Sequence, residues 1–141
     1  MSLAAILQRQ AGNIVQVAPD ISVRAVIELL AERRIGAVPV VQAGEVLGIM
    51  SERDVVLALR RDGADILDWP VERVMTRPAV TVDSESSALS ALSLMTRRRF
   101  RHLPVLKEGR MTGFISIGDL VKARIDMIEQ EAEALRSYIS G

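Results

Sequence analysis

Residues 35–56 read "IGAVPVVQAGEVLGIMSERDVV", and residues 100–121 read "FRHLPVLKEGRMTGFISIGDLV". Slid by 65 residues, the second lies on the first without a gap. Pro39 falls on Pro104, Gly44 on Gly109, Gly48 on Gly113, Ser51 on Ser116 and Asp54 on Asp119. The register holds upstream, where Val15 falls on Val80, Val17 on Val82, Ser22 on Ser87 and the pair Arg33–Arg34 on Arg98–Arg99. Self-similarity at a fixed period marks one supersecondary unit written twice.

Each unit reads in the same order. A short extended piece, Ile14–Val17 or Ala79–Val82, leads into a helix with apolar residues three and four apart. These are Val23, Val26, Ile27 and Leu30 in the first copy, and Ala88, Ala91, Leu92 and Met95 in the second. Asp20 and Ser84 serve as helix start signals. A β-branched strand with a central proline follows, edge-like because proline donates no N–H. A turn at Gly44 or Gly109, a second strand and a helix from about Ser51 or Ser116 complete the unit. The predicted class is α/β (α+β), two β-α-β-β-α repeats with pseudo-twofold symmetry. One copy alone would be marginal, and two bury their open faces against each other. The boundaries follow: residues 1–62 as repeat one with its N-terminal helix, 63–73 as linker, 74–125 as repeat two and 126–141 as a helical extension. Trp69, before Pro70 in the linker, reads as a packing plug at the joint.

Composition narrows the function. The 141 residues carry 18 basic and 18 acidic side chains, so the formal net charge is zero, which weakens any long-range pull toward nucleic acid. There is no cysteine, hence no disulfide, thiol catalysis or thiolate metal site. A single histidine leaves no histidine pair for a metal and no ordinary Ser-His-Asp relay. No Walker or Rossmann phosphate loop occurs. No stretch approaches the roughly 18–20 apolar residues that span a bilayer, and the N-terminus lacks a signal peptide's basic region. The expectation is a cytoplasmic protein with no catalytic residues and no metal.

The repeated element with chemistry in it is Gly-h-h-Ser-x-x-Asp, "GIMSERD" at 48–54 and "GFISIGD" at 113–119. Two readings fit. Ser-x-x-Asp at a strand-to-helix junction is close to a capping box. The same geometry suits a ligand: a helix N-terminus presents free N–H groups, a hydroxyl there bonds phosphate or ribose, and a carboxylate one turn on accepts from a vicinal diol. A cap can be shared with a ligand, so neither reading excludes the other.

The motifs "IGAVPVV…GIMSERDVV" and "FRHLPVL…GFISIGDLV" resemble a tandem pair of CBS domains, a Bateman module, over about residues 6 to 125. The "SERD", "RRFRHLPV" and C-terminal "AEALRSYI" segments are similar to those of small stand-alone bacterial members. The resemblance implies a disc with two clefts that bind adenosyl ligands: AMP, ADP, ATP, NAD(H) or S-adenosylmethionine. It implies ribose on Asp54 and Asp119, and phosphate or ribose contacts on Ser51 and Ser116. The base would lie against Gly36, Ala37, Val38 and Pro39 and against Arg101, His102, Leu103 and Pro104, with Thr76 joining one cleft.

The stretch "TRRRFRH" at 96–102 packs four arginines and the only histidine into six positions, Arg97 to His102. Arg98 and Arg99 repeat Arg33 and Arg34 at a helix end, where a cation gains about 0.3–1 kcal/mol from the macrodipole. Arg101 and His102 stand where repeat one has Gly36 and Ala37; Arg53 stands opposite Gly118. These unpaired cations are expected to converge on the phosphate of one nucleotide, leaving the second cleft weaker or different. Solvated helix-end charges are the plain alternative. Phe100, opposite Ile35, reads as core and not as a base-stacking platform.

Val121, Ile125, Ile128, Ala132, Leu135 and Ile139 are spaced 4, 3, 4, 3 and 4 along the last helix. That short heptad seam suggests homodimerisation. The resulting reading is a nucleotide sensor, AMP first among its ligands, acting in trans on an effector protein of unknown identity. The alternatives are an interaction module with empty clefts and, in third place, a nucleic-acid binder.

Overall fold

A computed structural model describes residues 1–9 and 14–140. After α1 (Leu3–Arg9), repeat one runs α2 (Val23–Arg33), β1 (Ala37–Gln42), β2 (Glu45–Ser51) and α3 (Glu52–Asp62). Two short 3-10 turns, Gly63–Asp68 and Val71–Arg73, connect it to β3 (Val82–Asp83), α4 (Ala88–Arg98), β4 (His102–Lys107), β5 (Arg110–Ser116) and α5 (Ile117–Ser140).

The two hairpins are built alike. β1 pairs antiparallel with β2, Ala37 opposite Ser51, and β4 with β5, His102 opposite Ser116. Each register slips once at a bulge, after Val40 and after Val105. Both hairpins close through two residues of positive φ, Ala43 (53°) with Gly44 (81°) and Glu108 (53°) with Gly109 (79°). That is the type I′ turn, whose twist matches the strands it joins.

The proline strands are not edges. β4 lies between β3 and β5, and β1 carries a parallel bridge from Val17 to Val40 on its outer side. The prolines are tolerated because the neighbour is so short. Parallel pairing in repeat two starts at Val105, one residue past Pro104, so the missing N–H falls beyond the end of the ladder. The helix starts also differ from expectation. Ser22 and Ser87, in extended conformation, cap α2 and α4 by accepting from Ala25 and Ser90 N–H at 3.1 Å each. Asp20 and Ser84 lie too far upstream for their side chains to reach those groups. Ser84 is instead buried, and its hydroxyl has no partner among the described residues.

Two cores form, one per repeat. Val23, Val26, Val38, Val40, Met50, Ile66 and Val71 anchor the first; Leu3, Ile6, Met95, Leu103, Val105, Ile115 and Leu120 anchor the second. Thus α1, which precedes repeat one in the chain, gives its apolar face to repeat two. The linker does the converse. Val23 N–H donates to Trp69, Val71 N–H to Ile21 and Glu72 N–H to Pro19; at 65-residue-equivalent positions, Ala88 N–H donates to Met1, Leu3 N–H to Ser86 and Ala4 N–H to Ser84. Residues 1–7 are therefore the structural counterpart of 69–75, at an offset of 68 where the repeats use 65. The matched residues even meet matched glycines: Leu7 packs on Gly113 and Met75 on Gly48. Grouping the N-terminal helix with repeat one follows chain order, whereas burial of Leu3 and Ile6 places it on repeat two.

Trp69 is half-buried against the first core, with the Arg73 guanidinium 3.7 Å over its ring. Phe100 is only half-buried and lies outside both cores, since α4 ends at Arg98 and the chain turns at Arg99 (φ 58°).

Candidate functional site

Each motif places its carboxylate through a capping box. Ser51 Oγ accepts from Asp54 N–H at 3.2 Å, while Asp54 Oδ2 accepts from Ser51 N–H and from the Ser51 hydroxyl, both at 2.9 Å. Repeat two reproduces the pair: Ser116 Oγ accepts from Asp119 N–H at 3.0 Å, and Asp119 Oδ2 from Ser116 N–H at 2.9 Å. One oxygen of each aspartate is thus committed to its own helix. In repeat one the other, Oδ1, accepts from the Thr76 hydroxyl at 2.7 Å. Thr76 arrives there because its backbone pairs with Ile49, N–H to carbonyl in both directions at 2.9 and 3.0 Å. Gly48 makes room: a β-carbon on it would lie 2.6 Å from the Thr76 carbonyl oxygen.

The strand starts are tied to the same helix ends. Gly36 carbonyl accepts from Glu52 N–H at 3.0 Å and Arg101 carbonyl from Ile117 N–H at 2.8 Å. Ala37, Val38, Pro39, Leu103 and Pro104 are buried, Val38 within the first core and Leu103 within the second, both completely. Gly36, Arg101 and His102 remain reachable, as do Ser51, Arg53, Asp54, Thr76, Ser116 and Asp119.

The two repeats touch at His102. Its ring stacks on Phe114, centroids 5.4 Å apart and planes 12° from parallel. Its Cε1 lies 3.6 Å from where a β-carbon of Gly36 would be, and the Glu52 carboxyl carbon lies 3.9 Å from that same point. Arg53, expected here, is exposed in the first turn of α3; the acidic residue beside it faces His102. Burial pushes the imidazole below its ordinary 6.5; Asp119 pulls it up, Arg101 lowers it further and Glu52 raises it. The fold therefore favours the uncharged, hydrogen-bonding ring over the cation expected from the sequence. Glu52 and Phe114 went unnoticed in the sequence, although their repeat partners, Ile117 and Ile49, are as unlike them as Gly36 is unlike Arg101.

Among the described residues, no group of three or more His, Cys, Asp or Glu is placed to hold a metal ion, and no helix is long and apolar enough to cross a membrane. A shallow depression lined by Ile14, Val15, Gln16, Leu29 and Arg33 shares none of the motif residues.

Known proteins show the same design. The chain is 35% identical over 127 residues to the mitochondrial CBS domain-containing protein CBSX3 of Arabidopsis thaliana, covering 86% of this chain and 62% of that relative. The crystal structure of the CBS-domain protein ATU1752 from Agrobacterium tumefaciens superimposes with a TM-score of 0.82 at 42% identity, over 88% of this chain and 99% of that one. The crystal structure of CBSX2 in complex with AMP shares the fold, with a TM-score of 0.76 at 24% identity over 89% and 97% of the two chains. The CBS-domain family pattern matches twice, at residues 6–61 and 71–126. With both halves matched and the tandem architecture in place, the chain belongs to the CBS-domain family, whose paired domains are regulatory modules.

Proposed function

We propose that this chain is a non-catalytic regulatory module that binds an adenosine nucleotide between its repeats and reports occupancy to a partner protein. AMP is the first choice of ligand; ADP, ATP, NAD(H) and S-adenosylmethionine share its adenosine. The observation that carries the reading is the duplicated carboxylate. Asp54 and Asp119 each spend one oxygen on a helix cap, which fixes the group at a helix N-terminus. In repeat one the remaining oxygen meets only the exposed Thr76 hydroxyl among the described residues. A ribose diol can take that bond, while Ser51 and Ser116 turn their hydroxyls to phosphate or ribose. Gly36–Pro39 and Arg101–Pro104 offer backbone to the base, and Arg101 and His102 answer the phosphate. The AMP complex of CBSX2, of the same fold, supports this choice.

The chain acts as a homodimer in this reading. Val121, Ile125, Ile128, Leu135 and Ile139 are 44%, 49%, 49%, 60% and 75% exposed along one stripe of α5, more apolar surface than a lone helix keeps in water. Replacing Ile125 and Ile128 by Glu is expected to yield monomers in sedimentation.

A ligand panel tests the core claim: thermal unfolding with AMP, ADP, ATP, NAD⁺, NADH, S-adenosylmethionine and GMP. A ligand at 100 times its dissociation constant adds about 2.7 kcal/mol, hence several degrees. Adenosine ligands are expected to raise the midpoint and GMP to leave it. The complete capping boxes favour one second reading, an interaction module in which Ser51, Asp54, Ser116 and Asp119 serve only as caps; a flat panel would point to it.

A further inference from the structure

Resting on the adenosine-ligand reading, we propose that His102 is a specificity-determining residue that takes up one proton when a phosphate-bearing ligand binds, so that affinity for such ligands rises as the medium acidifies. The geometry is that of a ring poised between two states. One face is covered by Phe114, and the Cε1 edge abuts Gly36 of the other repeat. Three charged groups act on it: Arg101, the residue just before β4, Glu52 in the first turn of α3 and Asp119 in the first turn of α5. Enclosure and Arg101 favour the neutral ring, whereas the two carboxylates favour the cation. Neither ring nitrogen bonds another described residue, so a proton added there is available to an incoming oxygen.

A phosphate dianion brought to this point adds negative charge and tips the balance, and the solvent supplies the proton. The site then gains a charge-assisted hydrogen bond that an uncharged nucleoside cannot draw. Repeat one has Ala37 and Ile49 where repeat two has His102 and Phe114, so the linkage is confined to one proton per chain. His102 therefore sets a preference for phosphorylated over unphosphorylated adenosine, and that preference widens as pH falls toward the phosphate's own second pKa of about 6.

The chain holds one histidine, so its imidazole Cε1 proton is a unique reporter in a proton NMR spectrum. Its chemical shift is followed from about pH 5 to about pH 8 in free protein, with saturating adenosine and with saturating AMP. The expected midpoint lies below 6.5 in the free protein, stays there with adenosine and moves up with AMP. A rise of about one pH unit corresponds to a tenfold gain in AMP affinity across the titration. Titration calorimetry in two buffers of different ionisation heat gives the second readout. His102→Gln keeps a hydrogen-bonding side chain but is expected to lose the proton uptake and several-fold in AMP affinity, narrowing the gap to adenosine. Binding of AMP with an unmoved histidine midpoint, or with the same proton count in His102→Gln, overturns the inference and leaves the adenosine reading standing. A spectrum that neither AMP nor adenosine perturbs removes that reading and this inference together.

Discussion

Gly48 and Gly113 occupy equivalent strand positions, yet alanine at each should have different consequences. At Gly48 the added carbon would meet the Thr76 carbonyl oxygen at 2.6 Å and the Met75 sulfur at 2.8 Å. To regain an ordinary contact near 3.5 Å the carbonyl must retreat by about 0.9 Å. Its bond from Ile49 N–H, now 3.0 Å, then leaves hydrogen-bonding range, and the reciprocal bond at 2.9 Å goes with it. Thr76 also lets go of Asp54. Two backbone bonds at about 0.5–1.5 kcal/mol each and one bond to a carboxylate at about 1.5–3 kcal/mol put the loss near 3–5 kcal/mol. At Gly113 the obstacle is the end of the Leu7 side chain, which can turn aside at a cost of about 1 kcal/mol of burial. Urea unfolding of both variants reads the difference. Leu7→Ala should relieve Gly113→Ala, with a coupling of about 1 kcal/mol in a double-mutant cycle. Met75→Ala should not relieve Gly48→Ala, because the backbone oxygen remains. Equal losses at the two glycines, or rescue by Met75→Ala, would show that the Thr76 carbonyl does not set the cost at Gly48.

Ser84→Ala removes a buried hydroxyl without a partner, and a gain of about 1 kcal/mol is expected in the same urea assay. Glu108→Asn keeps the positive φ of 53° with a side chain suited to it and should raise stability by about 0.5–1 kcal/mol; loss of stability would show that the turn tolerates glutamate without strain. Folding lowers the His102 imidazole below its unfolded 6.5, so the unfolded chain binds that proton more tightly. Ligand-free stability should therefore be level above 6.5 with respect to this group and fall as pH drops through 6.5 toward the folded value. Melting temperatures between about pH 7.5 and about pH 5.5 should show that decline, and His102→Gln should lessen it.

Much of this was legible in the sequence because both copies keep their punctuation. The 65-residue register carried the hairpins, the glycine turns and the Ser-x-x-Asp caps onto their correct places, and α5 begins one residue after Ser116, about where it was expected. What stayed hidden was packing without identity. "MSLAAIL" and "WPVERVM" share no residue position by position, only apolar spacing, and a three-residue slip takes them out of the repeat register. The proline strands looked like edges because their neighbours are one or two residues long, below any sequence signal. At the site, charge was legible but its neighbours were not. His102 was visible as an added base, whereas the burial and the charged neighbours that move its imidazole below 6.5 are brought together only by the folded chain.

The exchange of end segments between the halves has a consequence for synthesis. A ribosome delivers α1 before either repeat, but the surfaces that receive Leu3 and Ile6 come from α4, β4, β5 and the start of α5, more than 80 residues later. Repeat one in turn waits for Ile66 and Val71 before its core closes. Of the described helices α1 is thus made before the others yet seated among the last, and until repeat two emerges its apolar face lacks the partners it has in the fold. Its shortness, seven residues with a polar Gln8 and Arg9 at the end, limits how sticky that face is while it waits.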